Sequence, residues 1–217
     1  MVNITGFNIG TFAIPFTQNI VSSEAIMSLC MYDLTNSIFV FGGSYAIANM
    51  IVKSKDNNSG SLKKVFLDLF KTIPIHAYII AIILSAFSIT LPNTVSYVIS
   101  SIAQSNTLLA MFMIGSAINI NISWTQFKKL LSLLIMRYST TTIIALLIWF
   151  ILPFDAEIRF ILMVAVFAPV AAFSTIITMK MNSTSLFENS AALNSLSIMT
   201  SIAIISTLTS FYSFFIS

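Results

Sequence analysis

Apolar runs of about 20 residues, the length a helix needs to cross a hydrocarbon core of about 30 Å, recur along this chain from end to end. Seven segments qualify: 4–21, 25–52, 73–92, 96–120, 128–152, 160–179 and 190–216. Turn signals separate them: Ser22-Ser23-Glu24, the polar run KSKDNNSGSLKK at 53–64, Leu91-Pro92-Asn93, NINIS at 119–123, Pro153 to Glu157, and KMNSTS at 180–185. Only 8% of residues are charged, against about 25% in soluble domains, and the mean hydropathy is +0.95. The expected fold class is therefore an all-α integral membrane protein with seven transmembrane helices. No basic stripe suggests nucleic acid. Cys30 is the single cysteine, which rules out an intrachain disulfide or a Cys-based metal site and reads as a small buried residue. No basic residue precedes Lys53, so no secretory signal is read at the N-terminus.

The basic residues orient the segments. If the spans alternate, connections two, four and six share one side and hold Lys53, Lys55, Lys63, Lys64, Lys71, Lys128, Lys129 and Lys180, whereas the other side holds only Arg159. This bias places the N-terminus in the cytoplasm and the C-terminus outside. Residues 63–73, KKVFLDLFKTI, are amphipathic and fit the cytoplasmic interface. His76 just after them reads as a packed or capping residue.

Within the apolar segments, polar and helix-breaking residues gather at one depth. The stretch TGFNIGTFAIPFTQNI at 5–20 carries Asn8, Gln18, Asn19, Gly6, Gly10 and Pro15. At 1.5 Å per helical residue, Pro15 lies about 13 Å from the edge marked by Glu24. Pro169 lies midway between Arg159 and Lys180, the two edges of the sixth span. Each proline removes a backbone donor and crowds the preceding turn. The freed carbonyls are tolerated in lipid only where they face protein or a wet cavity. One such proline reads as an ordinary kink; two at matched depth, flanked by small residues, read as two broken helices. The following spans are polar as well. Asp33 and Asn36 of YDLTNS lie near the level of Pro15, and the seventh span contains ENSAALNSLSIMTS, with Asn194, Ser195, Ser197, Thr200 and Ser201. An intramembrane carboxylate faces a partner or a cavity. Arg137, about 13 Å beyond the level of Lys128 in a straight helix, has three readings: a partner for Asp33, an anion ligand, or a side chain snorkelling to the interface.

A broken span followed by a polar one thus occurs twice, with three spans between. A unit of five spans ending in such a pair must be inverted relative to the next, the plan of many secondary transporters with a site at the midplane. Enzyme chemistry fits poorly. His76 stands alone, so neither a zinc cluster nor a serine–histidine pair can be assembled. The last segment also lacks the lysine that a retinal protein would need.

The same residues carry a resemblance. TGFNIGTFAIPF resembles the first crossover helix of the auxin efflux carrier/malate permease family. CMYDLTNSIFVFGGSYAIA (30–48) resembles its next helix, with Tyr32, Asp33 and Asn36 in place. LLAMFMIGSAIN (108–119) and IMRYSTTTIIALL, with Arg137, resemble two further helices. MVAVFAPVAAFSTII, with Pro169, resembles the second crossover, and NSLSIMTS the final helix more loosely. The ordered set covers essentially the whole chain; Thr142 stands where the family usually has a proline. The resemblance implies a ten-helix fold of two inverted five-helix repeats with two broken crossover helices. This chain begins at the helix resembling the fourth. Residues 1–52 would close the first repeat, 53–72 would form a cytoplasmic loop, and 73–217 would make the second repeat. The implied function is secondary transport, by efflux or exchange, of a small organic anion such as a malate-like carboxylate or an auxin-like acid across the plasma membrane. Asn8, Pro15, Asp33, Asn36, Arg137, Pro169 and Ser174 are the expected substrate or ion contacts. No cofactor is expected, proton or sodium coupling is open, and the resemblance allows a homodimer. The competing expectation is a truncated, non-transporting membrane fragment or an accessory membrane subunit.

Overall fold

The computed structural model describes residues 6–39, 73–117, 123–171 and 184–216. These residues are almost entirely helical, with no strand among them. A π-turn at Ile9–Ala13 runs into α1 (Ile14–Thr17). Then follow α2 (Ser23–Ile38), α3 (Ile73–Ala86), α4 (Asn93–Ala117), α5 (Trp124–Ile151), α6 (Ala156–Val166), α7 (Thr184–Ser210) and α8 (Tyr212–Ile216). Two helices are long and apolar enough to cross a membrane, α5 over Gln126–Ile151 and α7 over Glu188–Ser210. The expected loop 53–72 lies outside the described residues.

Local chemistry sets the helix ends. Ser22 and Ser123 cap α2 and α5 by accepting the amide hydrogens of Ala25 and Gln126, each at 3.3 Å. α5 runs without interruption through Thr140, Thr141 and Thr142, whose hydroxyls bond back to carbonyls three or four residues earlier. With threonine rather than proline at 142, nothing removes a helical donor there. α3 stops short of the expected 92 because the chain turns at Ser88, whose φ of 51° is left-handed. The amides of Ser88 and Ile89 close back onto Ser85 and Leu84, a helix-terminating pattern that satisfies the last carbonyls.

α6 is the hub. Phe160, Ile161 and Met163 to Val166 are all buried, and the helix packs against α2, α5, α8 and the π-turn. Phe12, Leu29, Phe160, Val164 and Ile205 form the centre of this core. Phe160 meets Tyr212 and Phe215 at ring-centroid distances of 5.0 and 5.7 Å. α5 and α7 are joined through a second cluster of Leu130, Leu134, Ala192 and Leu193.

At the α6 N-terminus, one carboxylate ties three elements together. Glu157 accepts the Ser22 amide at 2.8 Å, the Ser22 hydroxyl at 2.6 Å and the Tyr212 hydroxyl at 2.6 Å. It sits in the first turn of α6, where negative charge is favoured. The hydrogen bonds from Ser22 and then Tyr212 hold its carboxyl below the usual carboxylate range. A depressed folded-state pKa means that the latch contributes fully above the unfolded value of about 4.3 and is lost as pH falls through the lowered value. Glu157→Gln should destabilise the fold in detergent near neutral pH by about 1 kcal/mol or less, because the group is largely solvated, and lower the melting temperature accordingly. It should also flatten the acid limb of the stability curve, which a thermal-shift series from neutral to acid pH would record.

Candidate functional site

Two non-helical segments cross beside α6. Gly6-Phe7-Asn8 precedes the π-turn, and Ala168 to Ala171 follow the end of α6. They pair antiparallel around Phe7 and Val170. The Asn8 amide donates to the Pro169 carbonyl at 2.9 Å and the Ala171 amide to the Gly6 carbonyl at 3.2 Å. At this central pair the remaining backbone groups turn outward, as in a non-hydrogen-bonded antiparallel pair. Side chains from the neighbouring helices meet them.

Asn36 of α2 grips Phe7 on both sides. Its Nδ2 donates to the Phe7 carbonyl at 2.8 Å and its Oδ1 accepts the Phe7 amide at 3.2 Å. On the other segment, the Val170 amide donates to Ser197 Oγ at 3.1 Å, and Ser201 Oγ donates to the Phe167 carbonyl at 2.7 Å. Tyr138 braces these serines: its hydroxyl oxygen lies 2.9 Å from both the Ser197 carbonyl and Ser201 Oγ, and with the Ser201 proton on the Phe167 carbonyl it gives its single proton to one of the two. Arg137, next in α5, spans both segments. Its Nη2 donates to the Gly6 carbonyl and to the Ala168 carbonyl, each at 3.1 Å. The guanidinium lies over the Phe7 ring at 4.9 Å. Only 3% of Arg137 is exposed, so these bonds form in a largely water-free setting where each is worth more than at a surface.

Of the sequence-derived residues, Asn8, Asn36, Arg137 and Pro169 converge at this crossing. The helical path is not broken at Pro15; the non-helical residues are Gly6–Asn8, before the π-turn. Pro15 sits in the first turn of α1, directly after the π-turn, whose bonds run from Ala13 N to Asn8 O and from Ile14 N to Ile9 O. Its missing amide falls where the i→i−5 bonds of the π-turn give way to α1, and the wider π-turn before it relieves crowding by the ring. Asn8 also fixes the start of this turn, its Oδ1 accepting the Thr11 hydroxyl. Asp33 lies one turn before Asn36 and packs on the π-turn. A Cβ built at Gly10 would stand 3.1 Å from Asp33 Oδ2, so glycine is what lets the carboxylate lie against the backbone. Ser174 lies outside the described residues.

Sequence reasoning missed the non-helical Gly6 and Phe7 and the brace Tyr138, and it noted Ser197 and Ser201 as polar residues of the seventh span without giving them a role. The serines had a signal: Ser190, Asn194, Ser197 and Ser201 recur at helical spacing, and all are buried. Tyr138 had none, since a tyrosine beside an arginine in an apolar helix reads as packing. No family model matches the chain, and no curated protein or solved structure shows significant similarity to it.

Two substitutions probe this geometry. Asn36→Ala strands two backbone groups of Phe7 and should cost about 2 kcal/mol or more, with Asn36→Asp, which keeps only the acceptor, falling between. Gly10→Ala should displace the Asp33 carboxylate yet leave the Asn36 clamp, so its loss of stability should be smaller than that of Asn36→Ala. Thermal melts of the three purified variants give the order.

Proposed function

We propose that the protein is a secondary transporter of a small organic anion, malate-like or auxin-like, working by efflux or exchange in the plasma membrane, of the auxin efflux carrier/malate permease type. In this reading seven helices cross the membrane with the N-terminus in the cytoplasm, and the crossing lies near the midplane. The observation that carries it is the crossing itself. Two irregular segments far apart in sequence meet antiparallel, with polar side chains converging on them, the kind of interrupted-helix crossing around which transporters build a solute site. Each segment is gripped by the long helix that follows it, Phe7 by Asn36 29 residues on and Val170 by Ser197 27 residues on, which fits an inverted repeat.

Membrane residence is supported by what the helices turn outward. On α5, Ile135, Met136, Leu146 and Phe150 are at least half exposed, and on α4 Tyr97, Leu108 and Phe112 are about three-quarters exposed. Faces this apolar suit lipid rather than water. Within the site, Asp33 on the π-turn serves as the proton- or cation-responsive group, and Asn8 and Asn36 line the approach to the backbone.

Purified protein in liposomes should accumulate radiolabelled malate or an indole carboxylic acid saturably, above empty vesicles. Asp33→Asn and Asn36→Ala should each reduce that uptake severalfold. No uptake of either acid would overturn the reading and leave an accessory membrane subunit. Unchanged uptake by both variants would remove the crossing from the transport path.

A further inference from the structure

The carbonyl oxygens of the crossing are the groups with which an unwound transporter helix holds a coupling cation. Here five of them are already engaged. Phe7 O accepts Asn36 Nδ2, Phe167 O accepts Ser201 Oγ, and Pro169 O accepts the Asn8 amide. Gly6 O accepts both the Ala171 amide and Arg137 Nη2, which uses both of its lone pairs. Ala168 O accepts the same Arg137 nitrogen. Two carbonyls, one from each segment, therefore converge at 3.1 Å on a single positively charged nitrogen. That is the geometry of a cation site, filled by a side chain that stays charged at any working pH. A metal cation brought beside the guanidinium would meet its repulsion in a setting of low dielectric.

We propose that Arg137 is the resident cation of the crossing, taking the carbonyl oxygens that a sodium ion would otherwise coordinate, so that the protein carries its anion without sodium. Only the last clause rests on the transporter reading. Arg137 is then a positioning residue that locks the two segments together through Gly6 and Ala168, and the solute is met by other groups. This narrows the coupling left open by the sequence.

The experiment reads stability and uptake separately. Purified protein is melted in sodium chloride and in choline chloride at constant ionic strength, and the expected result is no saturable sodium-dependent shift. Arg137→Ala should melt lower, and millimolar methylguanidinium should recover at least half of the loss, whereas equal methylammonium should not, because it lacks the planar fork. Arg137→Lys, which keeps the charge with a different geometry, should melt between the two and serves where the alanine variant does not fold. Uptake by the unmodified protein should be equal in sodium and choline. A saturable sodium-dependent rise in the melting temperature of the unmodified protein would overturn the resident-cation assignment, as would an alanine variant that methylguanidinium fails to rescue. Absence of uptake in both salts would count against the transporter reading and leave the assignment to be judged on the melts.

Discussion

Every backbone amide and carbonyl buried away from water must find a partner, and two irregular segments crossing inside an apolar bundle make that demand most severe. The organisation around α6 follows from meeting it. Gly6 to Asn8 and Ala168 to Ala171 satisfy part of the need by pairing with each other. Further groups are met by side chains from the neighbouring long helices: Asn36 from α2, Arg137 from α5, and Ser197 and Ser201 from α7. Remove any of these and a polar group stays buried without a donor or acceptor, which costs more than the net worth of the bond. The polar residues that look misplaced in apolar helices are therefore what permits the break.

The arrangement also assigns different work to residues that look alike in the sequence. Asn36 binds through both ends of its amide and so fixes the orientation of the Phe7 peptide, whereas Ser197 and Ser201 fix the opposing segment through single bonds and depend on Tyr138 to aim them. The two halves of the crossing are thus held with unequal stiffness. Arg137 touches both segments by hydrogen bonds, and its guanidinium couples them directly. At the far end of α6, Glu157 binds Ser22 and Tyr212, which ties the start of α2 to α8. α6 is held at one end by a solvated latch and at the other by a buried one.

How much of this was legible in the sequence differs by feature. The crossing was readable in outline, because glycine, asparagine and proline in an apolar run, twice and at matched depth, have few other uses. Its position in the first segment was not. Proline is the conspicuous helix breaker, but here the wider π-turn before Pro15 accommodates its ring, and the non-helical residues are Gly6-Phe7-Asn8, where no residue forbids a helix. Asn36, Arg137 and Pro169 were singled out for polarity or ring chemistry at depth, and they meet at the crossing. Tyr138 was invisible because its function depends on Ser201 lying across from it, a tertiary fact. α3 ends early because Ser88 takes a left-handed turn, and a serine gives little sequence signal for that conformation.

The pairing of Phe7 with Val170 is the claim on which the rest stands, and a cross-link tests it most directly. Facing residues in a non-hydrogen-bonded antiparallel pair lie about 4.5 Å apart at Cα, within disulfide reach. Phe7→Cys and Val170→Cys would be combined in a Cys30→Ser background, which leaves no other thiol, with a protease site placed in the 53–64 run. After mild oxidation and cleavage, the two fragments should migrate together without reductant and separate with it. Fragments that separate under both conditions, while each single-cysteine control behaves identically, would contradict the crossing.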